Sequence, residues 1–173
     1  MIGQDSRFIN SAGAPKEIPR LLQSLFVSEL IAPSDCIWLV SPWISDIPII
    51  DNRANTFVSL DHTWERTQVR LSQILCSLIN SGTTVYVATR PDRHNQQFLR
   101  AIEDYAPVGW RQKHVHIVEE LHEKGLLGSD YYLAGSMNFT YNGIVVLEES
   151  AHFHTEPAIV AEQRIKFRDR WGG

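Results

Sequence analysis

Four side chains within seventeen residues carry chemistry: His122, Lys124, Ser136 and Asn138, in the stretches Leu121-His122-Glu123-Lys124-Gly125 and Gly135-Ser136-Met137-Asn138. An imidazole attacks phosphorus or moves a proton near neutral pH, and an ammonium and a carboxamide donate to phosphoryl oxygens. The inventory suits a phosphate ester. Side chains alternate along an extended segment, so His122 and Lys124 share a face, with Glu123 on the other, and Ser136 and Asn138 repeat that spacing. Two neighbouring strands carrying these pairs would converge four polar groups on one spot.

The pattern His122-x-Lys124 followed by Gly135-Ser136-x-Asn138 resembles the HxK…GSxN signature of the phospholipase D superfamily, which contains lipases, nucleases and phosphatidyl transferases. The alternation of helix and strand patterns from about residue 36 onward agrees with it. In that superfamily an Asp stands five residues after the Lys; here Ser129 holds that position, Asp130 is one further on, and the Lys-to-Gly spacing is one residue short. A trimmed turn makes Asp130 the equivalent. The superfamily also places a Glu eleven residues after the Asn to orient the catalytic His, which falls on Glu149, beside Glu148.

The resemblance implies a reaction without metal or other cofactor. One His122 attacks phosphorus to give a phosphohistidine, and a second His122 protonates the leaving oxygen and later activates water. Lys124 and Asn138 hold phosphoryl oxygens, Ser136 assists and Glu149 fixes the imidazole tautomer. Asp130, Thr140 and Ser41 are the expected substrate contacts. The superfamily's site needs two HxK motifs and this chain has one, with no internal repeat, so the resemblance implies a homodimer whose site is composite across a twofold axis. More narrowly, Leu25-Phe26-Val27-Ser28-Glu29-Leu30, Trp38-Leu39-Val40-Ser41-Pro42-Trp43-Ile44-Ser45-Asp46, Lys124-Gly125-Leu126-Leu127 and the run from Gly135 to Gly143 are similar to a subgroup of small phospholipase D-like proteins. Members of that subgroup are encoded with bacterial systems that put 7-deazapurines into DNA. It implies a nuclease acting on DNA in a modification, restriction or phage-defence system, with other subunits as partners.

Composition bounds these readings. With 173 residues, 43% hydrophobic and 21% charged, the chain is ordinary for one soluble domain. A net charge of −4 and a pI near 5.9 argue against nucleic-acid binding by a bulk positive field. Contact with nucleic acid must then be local. Arg53, Arg66, Arg70, Arg90, Arg93, Arg100 and Arg111 are its candidates, Arg90 and Arg93 foremost because they follow a predicted strand. No apolar run approaches the ~20 residues that span a bilayer, and no leader pattern is apparent, so a cytoplasmic protein without membrane contact is expected. Cys36 and Cys76 lie in apolar segments and read as buried free thiols. The pairs His114-x-His116 and His152-x-His154 have metal-ligand spacing but lack spaced partners, which favours ordinary hydrogen-bonded histidines. Trp38 and Trp43 flank a Ser-Pro turn and read as a core residue and a loop anchor.

The elements that must position the site follow from periodicity. Residues 1–17 read as an arm, with one domain over 18–173. Helix spacing runs from Pro19 to Pro33, and Cys36-Ile37-Trp38-Leu39-Val40 is a strand buried on both faces. Residues 43–60 read as a long irregular connection, followed by a helix from an N-cap at Asp61 to Gly82. Strands are predicted over 83–89, 115–118, 131–134 and 144–153, and helices over 95–105 and 156–171. The alternation predicts an α/β fold: a mixed, largely parallel sheet with helices on both faces. A second reading from a different class is a catalytically silent subunit that docks partners or nucleic acid, favoured by the short Lys-to-Gly spacing and the acidic pI. Phospholipid hydrolysis is disfavoured because no amphipathic interfacial helix or basic patch is legible.

Overall fold

The structure, a computed structural model, describes residues 6–10, 12 and 16–173. The remainder of the predicted arm lies outside the described residues. Cys36–Val40 forms β2, and its alternate residues are divided between two cores. Ile37 and Leu39 face one cluster, whereas Trp38 and Val40 face the other, which is why the run is apolar at every position. β5 (Thr84–Thr89) and β6 (Val115–Ile117) extend the sheet in parallel from β2. On its other side β7 (Gly125–Leu127) is antiparallel to β2, followed by β8 (Tyr132–Gly135), β9 (Ser150–His154) and β1 (Ser6–Asn10), each antiparallel to the one before.

The seven-stranded order is β1-β9-β8-β7-β2-β5-β6. Only β7 and β9 oppose the direction of the other five strands, so the sheet is mixed and largely parallel, as expected. α1 (Glu17–Ile31), α2 (Leu71–Asn80) and α3 (Arg93–Glu103) bury Leu22, Phe26, Ile74, Leu78, Phe98 and Ile102 with one core. A short α4 spans Trp110–His114. α5 (Pro157–Trp171) seats Val160, Phe167 and Trp171 on the opposite face. Each such side chain contributes roughly 1.5–3 kcal/mol of transfer free energy.

Four expectations are corrected. Ser6–Asn10, within the predicted arm, is an edge strand whose Ile9 is buried. The connection after β2 contains a small second sheet, β3 (Pro48–Asp51) paired with β4 (Gln68–Arg70). The helix predicted from Asp61 starts at Leu71 instead. Asp61 has cap chemistry but uses it in a turn, accepting from Thr63 N at 2.8 Å and from the Ser77 hydroxyl of α2. The β-branched stretch Ile144–Leu147 is not a strand. Residues Asn142–Val146 form a π-helical turn, because Gly143 seats against the Asn138 backbone.

Candidate active site

Strand register gathers the predicted residues other than Asp130 at one end of the sheet. Val40 pairs with Gly125, so Ser41 and Lys124 are the next residues out on neighbouring strands. Gly135 pairs with Ala151, which makes Ser136 and Ser150 the next pair, with Glu149 beyond. Arg90 follows Thr89 at the end of β5. From Glu149 to Arg90 is four strand spacings, about 19 Å at ~4.8 Å each. This is the carboxyl end of β2, β5, β6 and β8, the end where open α/β sheets bind ligands.

The HxK and GSxN pairs are not on strands, contrary to expectation. His122 and Lys124 lie in the extended segment before β7, and Ser136 and Asn138 follow β8. The strands stop short of the motifs and leave their side chains at the rim. His122 is exposed, and its carbonyl accepts from Lys124 Nζ at 2.8 Å. Leu121, fully buried against the α5 core, anchors the segment. Lys124 titrates below the ordinary lysine value: partial burial is the main cause, Glu149 pulls the other way, and the like charge of Arg90 lowers it further.

Glu149 accepts from the Ser136 hydroxyl, and that hydroxyl accepts from Ser150 N at 3.0 Å. The backbones meet as well, Ser136 N donating to Ser150 O at 3.0 Å. This closeness requires Gly135, since a Cβ there would lie 2.1 Å from Ser150 O. Glu148 is exposed beside it.

Ser41 is buried and accepts from Phe139 N at 3.2 Å while its hydroxyl reaches Trp43 O at 2.9 Å and Asn138 Oδ1 at 3.4 Å. It has no accessible surface and lies beneath the segment that carries Asn138. Thr140 closes the turn that follows, its Oγ1 accepting from Gly143 N at 3.1 Å. Asp130 also departs from expectation. It sits in the turn after Leu127, at the opposite end of the β7–β8 hairpin from Lys124, so its carboxylate is remote from the cluster. Ser129 in that turn is held by Ser34 Oγ, which itself donates to buried Glu29 at 2.7 Å.

Arg90 is the residue whose place at the site the motif spacing did not carry. Its Nε donates to Leu121 O at 2.8 Å, one residue from His122, and its guanidinium lies 4.9 Å from the Trp43 ring. The available signal was its place just past a buried parallel strand. The paired histidines lie elsewhere: His114 and His116 pack on Tyr86, and His152 stacks with His154 on the sheet face.

The fold is that of phospholipase D-like proteins. NucT from Helicobacter pylori superposes with a TM-score of 0.64 at 10% identity, covering 95% of this chain and 93% of that one. Nuc from Salmonella typhimurium, a phospholipase D family member, gives 0.60 at 14% identity over 96% and 93%. Polyphosphate kinase from Porphyromonas gingivalis gives 0.59 at 16% over 96% of this chain but 26% of the enzyme. No protein-family model and no curated protein matches the sequence. At these identities the likeness is one of fold, and the reaction must be argued from the site. Among the described residues no helix is long and apolar enough to cross a membrane.

Proposed function

We propose that the protein is a metal-independent phosphodiesterase, a nuclease acting on DNA through a phosphohistidine intermediate. The observation that carries this reading is the arrival of Lys124, Ser136, Asn138, Glu149 and Arg90 beside exposed His122 at one end of the sheet. Imidazole nitrogen attacks phosphorus, the bond to the leaving oxygen breaks, and a second imidazole gives that oxygen its proton. Water then attacks phosphorus, passes its proton to that second imidazole, and the P–N bond breaks to release a phosphomonoester. Both the nucleophile and the acid are imidazoles, so the scheme needs no metal. Lys124, Asn138 and Arg90 donate to the phosphoryl oxygens as charge builds there.

The second imidazole comes from His122 of the partner subunit in a twofold homodimer. Exposed Tyr141, Val145, Val146 and Leu147, in and around the turn that follows Asn138, are apolar surface of the kind such a partner covers. Similarity to the subgroup of small phospholipase D-like proteins encoded with 7-deazapurine systems supports a setting in bacterial DNA modification, restriction or phage defence, in the cytoplasm and with other subunits.

Hydrolysis of bis-p-nitrophenyl phosphate and of labelled DNA in excess EDTA, beside His122→Ala, tests the reading. Cleavage that survives EDTA and vanishes in the variant at unchanged melting temperature is expected. No cleavage by a folded wild-type dimer would overturn it in favour of a silent docking subunit, and a monomer in sedimentation would remove the shared site.

A further inference from the structure

Beside the catalytic end, between the N-terminus of α3 and the β4–α2 junction, opens a pocket of about 640 Å³ lined by Ser45, Asp46, Arg70, Arg93, His94 and Gln97. Its size is that of ordinary ligand pockets, roughly 300–1,000 Å³. It is joined to the candidate site through the chain: Ser45 N donates to Phe139 O at 2.8 Å, one residue from Asn138. Between them lie Arg90, Trp43 under the Arg90 guanidinium, and His94, which hydrogen-bonds Ser45 Oγ at 2.8 Å.

The acids along this path are already engaged. Asp46 Oδ1 accepts from Ser72 N of α2 at 2.9 Å. Asp92 accepts from His94 N at 2.8 Å and from Trp43 Nε1 at 3.1 Å. Arg93, by contrast, is exposed, and its side chain has no hydrogen bond or ion pair among the described residues. Two arginines and an imidazole therefore line a concave site with a single carboxylate, Asp46; Arg70 already donates to Asp46 O, whereas Arg93 is turned to solvent, in a chain that is acidic as a whole.

We propose that this pocket is a second phosphate subsite, occupied by a neighbouring phosphodiester of a polynucleotide strand whose scissile phosphate lies at His122 and Lys124. The inference rests on the nuclease reading and narrows its substrate: a simple diester or a phospholipid has one phosphate to offer, whereas a polynucleotide spans both sites. Arg93 donates to the backbone oxygens of that phosphodiester.

The test compares wild type, Arg93→Ala and Arg93→Lys on a labelled single-stranded oligonucleotide and on bis-p-nitrophenyl phosphate, with oligonucleotide binding measured in a His122→Ala background. Arg93→Ala is expected to raise KM and Kd for the oligonucleotide roughly tenfold and to lower the slope of log affinity against log salt by about 0.7, one phosphate contact on a single strand. Turnover of bis-p-nitrophenyl phosphate stays unchanged, and Arg93→Lys recovers part of the affinity. Unchanged oligonucleotide affinity, or an equal loss on both substrates, would overturn the subsite. Inorganic polyphosphate that displaces the oligonucleotide at equal phosphate concentration would overturn the polynucleotide assignment. A wild type that cleaves neither substrate yet binds the oligonucleotide through Arg93 would refute the nuclease reading and leave the subsite standing.

Discussion

Ser136 and Glu149 are joined across β8 and β9 by a hydrogen bond from hydroxyl to carboxylate, and the same hydroxyl receives Ser150 N at 3.0 Å. The bond ties the end of the GSxN segment to the start of the next strand and leaves Glu149 close enough to Lys124 to oppose its loss of basicity. A carboxylate thirteen residues downstream in sequence thereby acts on the HxK ammonium two strands away.

Glu149→Gln removes the carboxylate that, among the described residues, raises the Lys124 pKa, leaving burial and Arg90, both of which lower it. The ammonium then loses its proton at lower pH, so the alkaline limb of kcat/KM moves to lower pH. Arg90→Met moves it the other way. Profiles over the alkaline range read both, and a Glu149→Gln limb that stays in place would separate Lys124 from the rate.

Ser41→Ala strips a buried acceptor from Phe139 N and a donor from Trp43 O. An orphaned buried N–H costs about 1–3 kcal/mol, which urea unfolding should register. Activity should fall as well, because Phe139 N, which the hydroxyl receives, is the amide next to Asn138.

Two glycines hold the motif by close approach. A Cβ on Gly135 would sit 2.1 Å from Ser150 O, and one on Gly143 would sit 2.4 Å from Asn138 O, in both cases against backbone that cannot swing aside. Gly135→Ala and Gly143→Ala should each cost roughly 1–3 kcal/mol or more and reduce turnover. A variant with wild-type melting and wild-type rate would disprove the close approach.

Cys36 and Cys76 are both pushed up to about 11, chiefly by burial. At pH 8 only ~0.1% of either is thiolate, so iodoacetamide should label the native chain far more slowly than the urea-unfolded one. Mass spectrometry of the two reactions checks this.

Strand β2 and helix α5 were legible because their signals are local. Five consecutive apolar residues bounded by Asp35 and Ser41-Pro42 suit only a strand covered on both sides, and Pro157 and Gly172 mark the ends of the last helix. The start of α2 was not legible, because Asp61 offers the same cap chemistry as a true N-cap, and a local turn with Thr63 together with the tertiary contact to Ser77 decides its use. Ile144–Leu147 misled in the same way: β-branched residues favour strands, but contact of Gly143 with Asn138 outweighs a propensity worth about 1 kcal/mol or less.

Periodicity along the chain carried the α/β class and the central strand, residue type and spacing singled out His122, Lys124, Ser136 and Asn138, and resemblance alone pointed to Glu149. Only the tertiary structure decided that Ser41 is buried under Asn138, that Asp130 lies at the far end of its hairpin, and that Arg90 reaches Leu121 O. Those relations join residues dozens of positions apart through strand register, which a period-two pattern leaves open until neighbouring strands pair.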